Sequence, residues 1–183
     1  MNRRLVYIVP VLGFAAVAGV LFFSLNKSRY TPPDVIPSAL INKPAPPVAL
    51  AALNADRPGF GSADLRAGRV TVINFFASWC APCRLEAPML MQLSRNPAFR
   101  LLGVAYKDKR PDTEAFLVEG GNPFAAIVAD EEGRTAIDWG VTAAPETFVV
   151  DGKGVIRYRY QGALTPEVVR RELLPVIKAA QGA

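Results

Sequence analysis

The chain's only two cysteines stand three residues apart in Trp79-Cys80-Ala81-Pro82-Cys83, and histidine is absent from all 183 residues. The flanks of that pair restrict the fold more than any other feature. Thr71-Val72-Ile73-Asn74-Phe75-Phe76 reads as a buried strand, and Ala81 to Leu93 reads as a helix that follows at once. The first cysteine therefore falls where a strand passes into a helix. There the unsatisfied N–H groups and the positive end of the helix favour a thiolate on Cys80 and lower its pKa relative to a free cysteine. Cys83 lies one turn on and on the same face, so the two sulfurs can join or part with little backbone movement. Cys80 is the expected attacking thiol and Cys83 the resolving one.

Two blander readings compete with thiol exchange. A structural zinc needs about four Cys or His ligands, and this chain offers two thiolates, so neither a metal nor another cofactor is expected. A purely structural disulfide is the stronger alternative in an oxidising compartment. A bridge across so short a loop, however, constrains the unfolded chain little.

Leu5 to Leu25 carries no charge, with Arg3 and Arg4 before it and Lys27 and Arg29 after. At about 1.5 Å per residue such a segment can cross a hydrocarbon core of roughly 30 Å. It is longer than the apolar stretch of a cleavable signal, which leaves cleavage as the alternative. Thr31 to Pro47 is proline-rich and suits an extended linker. The expected organisation is a cytoplasmic N-terminus (1–4), a transmembrane anchor (5–25), a linker (26–47) and one folded domain (48–183). The formal charge of +5 falls to about +1 once the four flanking cations are set aside, so nothing argues for nucleic-acid binding. Lys107-Asp108-Lys109-Arg110 is the one dense charge cluster and reads as a solvated loop.

Downstream, Phe99 to Tyr106 reads as a second buried strand and Pro111 to Glu119 as a helix. Ala125 to Ala129 reads as a short strand and Glu132 to Trp139 as a short helix. Thr147 to Val150 and Val155 to Tyr160 flank Asp151-Gly152-Lys153-Gly154 and read as a hairpin, and Thr165-Pro166 opens a final helix. This order predicts an α/β fold, a mixed central sheet with flanking helices.

That ordering resembles a thioredoxin-like fold. The resemblance rests on Phe75-Phe76-Ala77-Ser78-Trp79-Cys80-Ala81-Pro82-Cys83 and on Ala144-Pro145, where that superfamily places a cis-proline facing the cysteines. More narrowly, the chain resembles the cytochrome c maturation thiol:disulfide interchange proteins of the DsbE or CcmG family, which are TlpA-like. Gly103-Val104-Ala105-Tyr106-Lys107-Asp108, Gly121-Asn122-Pro123-Phe124 and Pro145-Glu146-Thr147-Phe148 carry this, while Ala143 departs from the glycine usual in the family.

The resemblance implies a single-pass protein of the bacterial inner membrane with its domain in the periplasm. There it would act as a reductant, keeping the haem-binding cysteines of apocytochrome c, or a thiol-handling partner, in the dithiol state. It implies electron supply from a membrane thiol transporter of the DsbD or CcdA type. Glu86, three residues after Cys83, and Glu146, directly after Pro145, are the expected acids for moving protons and raising the cysteine pKa values, with a solvated helix-surface acid and a strand-edge charge as their competing roles. Trp79 is expected as both core and wall of the site. Pro82, Ala144, Pro145 and Tyr106 complete the expected substrate surface, with ordinary core as the competing role for Tyr106. A related tethered reductase for other exported proteins, and a binding module that holds apocytochrome without turnover, are the alternative functions.

Overall fold

The computed structural model describes residues 12–23 and 38–182. Residues 12–23 form a helix, α1, whose leucine, valine and phenylalanine side chains are exposed. Among the described residues, no helix is long and apolar enough to cross a membrane. The anchor expected over Leu5 to Leu25 runs past α1 into 5–11 and 24–25, which lie outside the described residues, as do 1–4 and 26–37.

The second compact unit is Ser38–Ala183, so its boundary falls ten residues before the expected start at 48. The reason is hydrogen bonding. Asn42 N–H donates to the Ile156 carbonyl, Ile156 N–H to Lys43 and Ala45 N–H to Gly154, which fastens the supposed linker to the sheet.

Among the described residues, the sheet has five strands: β1 (Thr71–Phe76), β2 (Arg100–Tyr106), β3 (Ala126–Asp130), β4 (Glu146–Val150) and β5 (Ile156–Gln161), in the order β3-β2-β1-β4-β5. β1, β2 and β3 run parallel, and β4 and β5 are antiparallel additions. Strands covered on both faces need side chains that are apolar in both directions, which is why β1 and β3 are buried along their whole length. α2 (Ala81–Leu93), α3 (Arg110–Gly120) and α4 (Arg134–Asp138) connect the strands. The last helix, α5, starts at Pro166–Val168, widens to a π-turn over Val169–Leu173 and ends as Leu174–Ala180. Its start is as expected, with Thr165 accepting from Val168 N–H and Pro166 in the first turn.

Two cores follow from the two faces. On one, Val72 and Phe76 of β1 meet Cys80, Cys83 and Leu90 of the α2 segment, Phe116 of α3 and Leu173 and Ile177 of α5. On the other, Ile73 and Phe75 meet Trp139, Phe148 and Val150 with Val48, Phe60 and Leu65. The Trp139 and Phe148 rings stand edge to face at 5.2 Å. Alternation along β1 thus assigns every residue of that strand to a face. The outer edge of β3 is also occupied: Leu53 N–H donates to Ile127, Ile127 N–H to Pro58 and Ala129 N–H to Ala51.

Candidate active site

β1 ends at Phe76, and four residues later α2 begins with Cys80 as its N-cap. Cys80 and Cys83 form a disulfide with Cα atoms 5.3 Å apart. Cys83 N–H points at Cys80 Sγ at 3.1 Å, so the helix end aims a backbone donor at this sulfur, as the strand-to-helix passage requires. Pro82 occupies the first turn, where a missing N–H costs nothing, and is exposed beside the disulfide.

The segment before Cys80 is held from outside. Asp108 is buried and its carboxylate accepts from Ser78 N–H (2.7 Å), Ser78 Oγ–H (2.7 Å) and Thr113 Oγ1–H (2.8 Å). The charge cluster at 107–110 is therefore not simply a solvated loop, because its aspartate turns inward while Arg110 donates to the carbonyls of Ala52 and Leu53. Trp79 is 59% exposed, which corrects its expected place in the core. Its Nε1–H donates to the Lys107 carbonyl at 3.0 Å and its ring stands 6.3 Å from that of Tyr106. Trp79 and half-buried Tyr106 thus form a wall on one side of the disulfide.

The other side is the Ala144–Pro145 loop, and its peptide bond is cis. β4 runs antiparallel to β1 and Phe75 pairs with Glu146, so Pro145 is the next position out, at the end of β1 from which the cysteine segment leaves. Ala144 packs against the core that contains both cysteines. Ala143 donates its N–H to Glu146 Oε1 at 3.2 Å and fits without a left-handed φ, so a residue other than glycine is accommodated there.

Glu86 is 1% exposed on the cysteine face of the sheet. Its Oε1 accepts from Asn74 Nδ2 at 2.9 Å and its Oε2 from Leu164 N–H at 2.9 Å. It borders a small hollow with Cys83, Phe76, Phe116 and Phe124. Burial pushes its carboxyl up to about 7, against the smaller pull of the Leu164 N–H and the Asn74 amide. An acid so placed changes charge near neutrality within the wall that holds Cys83.

Glu146 is different. It pairs across β1–β4 with Phe75, so alternation puts it on the opposite face of the sheet from the cysteines. Its Oε2 accepts from Arg159 Nε at 2.6 Å and its Oε1 from Thr142 N–H, Thr142 Oγ1–H and Ala143 N–H. Burial alone would raise its pKa, but the Arg159 guanidinium and the Thr142 and Ala143 donors together hold it below the usual carboxylate range. These bonds tie Glu146 to the proline loop and to Arg159.

Asn74, Thr147, Asp108, Arg159 and the backbone of Leu164 are the site residues that sequence reasoning did not single out. Asn74 had a readable signal, since it is the one amide in a strand of otherwise apolar or β-branched residues.

Comparison with known proteins agrees with this geometry. The Redoxin family profile matches residues 40–174. The thiol:disulfide interchange protein HelX of Rhodobacter capsulatus is 40% identical over 177 residues, 97% of this chain and 97% of that one. DsbE of Escherichia coli K12 is 41% identical over 177 residues, 95% of this chain and 94% of that one. Among solved structures, a thiol:disulfide interchange protein of the thioredoxin family from Chlorobium tepidum superposes with a TM-score of 0.60 at 27% identity, covering 80% of this chain and 99% of that one. The fold is thioredoxin-like, and the chain belongs to the DsbE family of thiol:disulfide interchange proteins, with thiol:disulfide oxidoreductase activity.

Proposed function

We propose that this oxidoreductase works as a membrane-tethered periplasmic reductant in cytochrome c maturation, acting on the haem-binding cysteines of apocytochrome c or on a thiol-handling partner. One observation carries the reductive direction: Glu86 lies buried on the cysteine face, where its charge opposes thiolate formation. A dithiol whose thiolate is not over-stabilised gives up electrons more readily.

In the proposed cycle the Cys80 thiolate attacks one sulfur of a client disulfide, forming a mixed disulfide and releasing the other client sulfur as a thiolate that takes up a proton. Cys83 then loses its proton to Glu86 and attacks Cys80 Sγ, and the second client sulfur leaves as a thiolate that takes that proton from Glu86. The client gains two electrons and two protons, and Cys80–Cys83 is left oxidised. Two electrons must return from a membrane thiol transporter of the DsbD or CcdA type. Anchoring through the apolar N-terminal segment keeps the two at high effective concentration. Exposed Trp79 and Pro82, with Tyr106 and the Ala144–Pro145 loop, provide the rim on which a client peptide rests.

The test is Cys83→Ser in cells, which cannot resolve the mixed disulfide. Recovery of apocytochrome c or its thiol-handling partner joined to Cys80 supports the proposal, and recovery of unrelated exported proteins alone overturns it. Purified Cys80→Ala should no longer reduce insulin; unchanged reduction would mean that Cys80 is not the nucleophile.

A further inference from the structure

Asn74 Nδ2 donates both to Glu86 Oε1, at 2.9 Å, and to Thr147 Oγ1, at 3.1 Å, while Asn74 Oδ1 is buried with no partner. Glu86 Oε2 faces the N–H of Leu164. Both neighbours directed at Glu86 are donors, so a carboxylate is fully matched while the O–H of the acid would find no acceptor among them. A proton added at Oε2 would oppose a backbone N–H that cannot turn. Added at Oε1 it would oppose Asn74 Nδ2, and that conflict has a local remedy.

We propose that the Asn74 carboxamide turns over when Glu86 takes up a proton, offering N–H to the carboxylate and C=O to the acid. After the turn, Oδ1 accepts from the Glu86 O–H and from the Thr147 hydroxyl, which rotates freely to donate. Nδ2 then becomes the unpaired atom. One buried polar atom is left over in each state, so neither protonation state is favoured by hydrogen-bond count. β1 and β4 hold Asn74 and Thr147 in register, so nothing else need move. Asn74 is a positioning residue, acting on the cysteines through Glu86, and Oε1 is the oxygen that receives the proton.

The titratable groups around Glu86 are Cys83 on its own helix and Tyr160 from β5. Burial and the charges of Glu172 and Glu86 push the Tyr160 phenol up, so it stays neutral in the range concerned. α3 and the 121–124 loop contribute only apolar side chains and glycine to the hollow beside Glu86.

This inference rests on Glu86 as the proton acceptor, and its test is independent of turnover. In the full-length chain labelled with 13C and 15N, with the disulfide intact so that the cysteines do not titrate, the Glu86 carboxyl carbon and the Asn74 side-chain amide are followed by NMR from pH 5 to 9. The expected result is one shared midpoint, with the Asn74 amide protons losing their contacts to Glu86 and Thr147 on the acid side. Glu86→Gln, which carries a permanent donor, should hold the Asn74 amide at the low-pH signal of the unaltered chain at every pH. A Glu86 titration during which the Asn74 contacts persist, or a Glu86→Gln signal matching the high-pH end, overturns the inference. If Glu86→Gln instead reduces disulfides at the full rate, the proton-acceptor role fails while the amide result still stands.

Discussion

Asp108 grips Ser78 twice, by its backbone N–H and by its hydroxyl, each at 2.7 Å, so the segment that carries Cys80 is fastened from the end of a neighbouring strand. Asp108→Ala strips the Ser78 N–H and the Thr113 hydroxyl of their partner in a buried place. The expected cost is about 2–4 kcal/mol. Ser78→Ala keeps the backbone bond and should cost only about 1 kcal/mol. Denaturant unfolding of the two variants, with insulin reduction beside it, checks the order; equal costs would show that the side-chain hydroxyl, not the backbone, carries the grip.

Glu86 should make the oxidised protein less stable as pH rises. Its folded pKa, about 7, lies above its ordinary value of 4.5, so the folded state binds the proton more tightly. The resulting stability is complete below about 4.5 and is lost as pH climbs through about 7, a difference on the order of 3 kcal/mol. Glu86→Gln should flatten this slope. Parallel pH dependences in the two proteins, measured by unfolding at pH 5 and pH 8, would contradict it.

Arg159 and Glu146 form a pair that is nearly sealed from water, with side chains 6% and 1% exposed. Arg159→Met leaves the carboxylate buried without its cation and should cost about 3–5 kcal/mol at pH 7. Adding Glu146→Gln should recover much of that loss. Since Glu146 is held below its ordinary value, its contribution is present above about 4.5 and fades as pH falls through the folded value. In thermal scans, a double variant no more stable than Arg159→Met alone would count against the pairing account.

Gly103 has no room for a side chain. A Cβ there would sit 2.9 Å from the Phe124 ring and 3.0 Å from Phe76, two rings that stack at 4.8 Å beside Cys83. Gly103→Ala should cost about 1–3 kcal/mol and push Phe124 outward. A crystal structure of the variant showing both rings unmoved would refute this.

Much of this molecule can be read from its residues. The strand Thr71–Phe76 and the helix Ala81–Leu93 match the expected limits residue for residue, because an apolar run and a proline-marked helix start are local signals. The later elements shift by one or two residues, as ends set by tertiary pairing do. The faces are harder. Glu86 and Glu146 look equivalent as acids near the motif, yet their separation by the sheet depends on the Asn74–Thr147 and Phe75–Glu146 register, which exists only once β4 has docked. Asp108 was hidden by its cationic neighbours. Likewise the 38–47 segment reads as linker because its bonds go to a strand over a hundred residues away.

The occupied edge of β3 has a consequence for strand addition. An unfolded chain readily adds itself to an open strand edge, and one held that way would lie along the side of the sheet. Here residues 51–58 already take up hydrogen-bonding positions of β3 at Ile127 and Ala129. At those positions the β3 flank is closed to strand addition by a second chain.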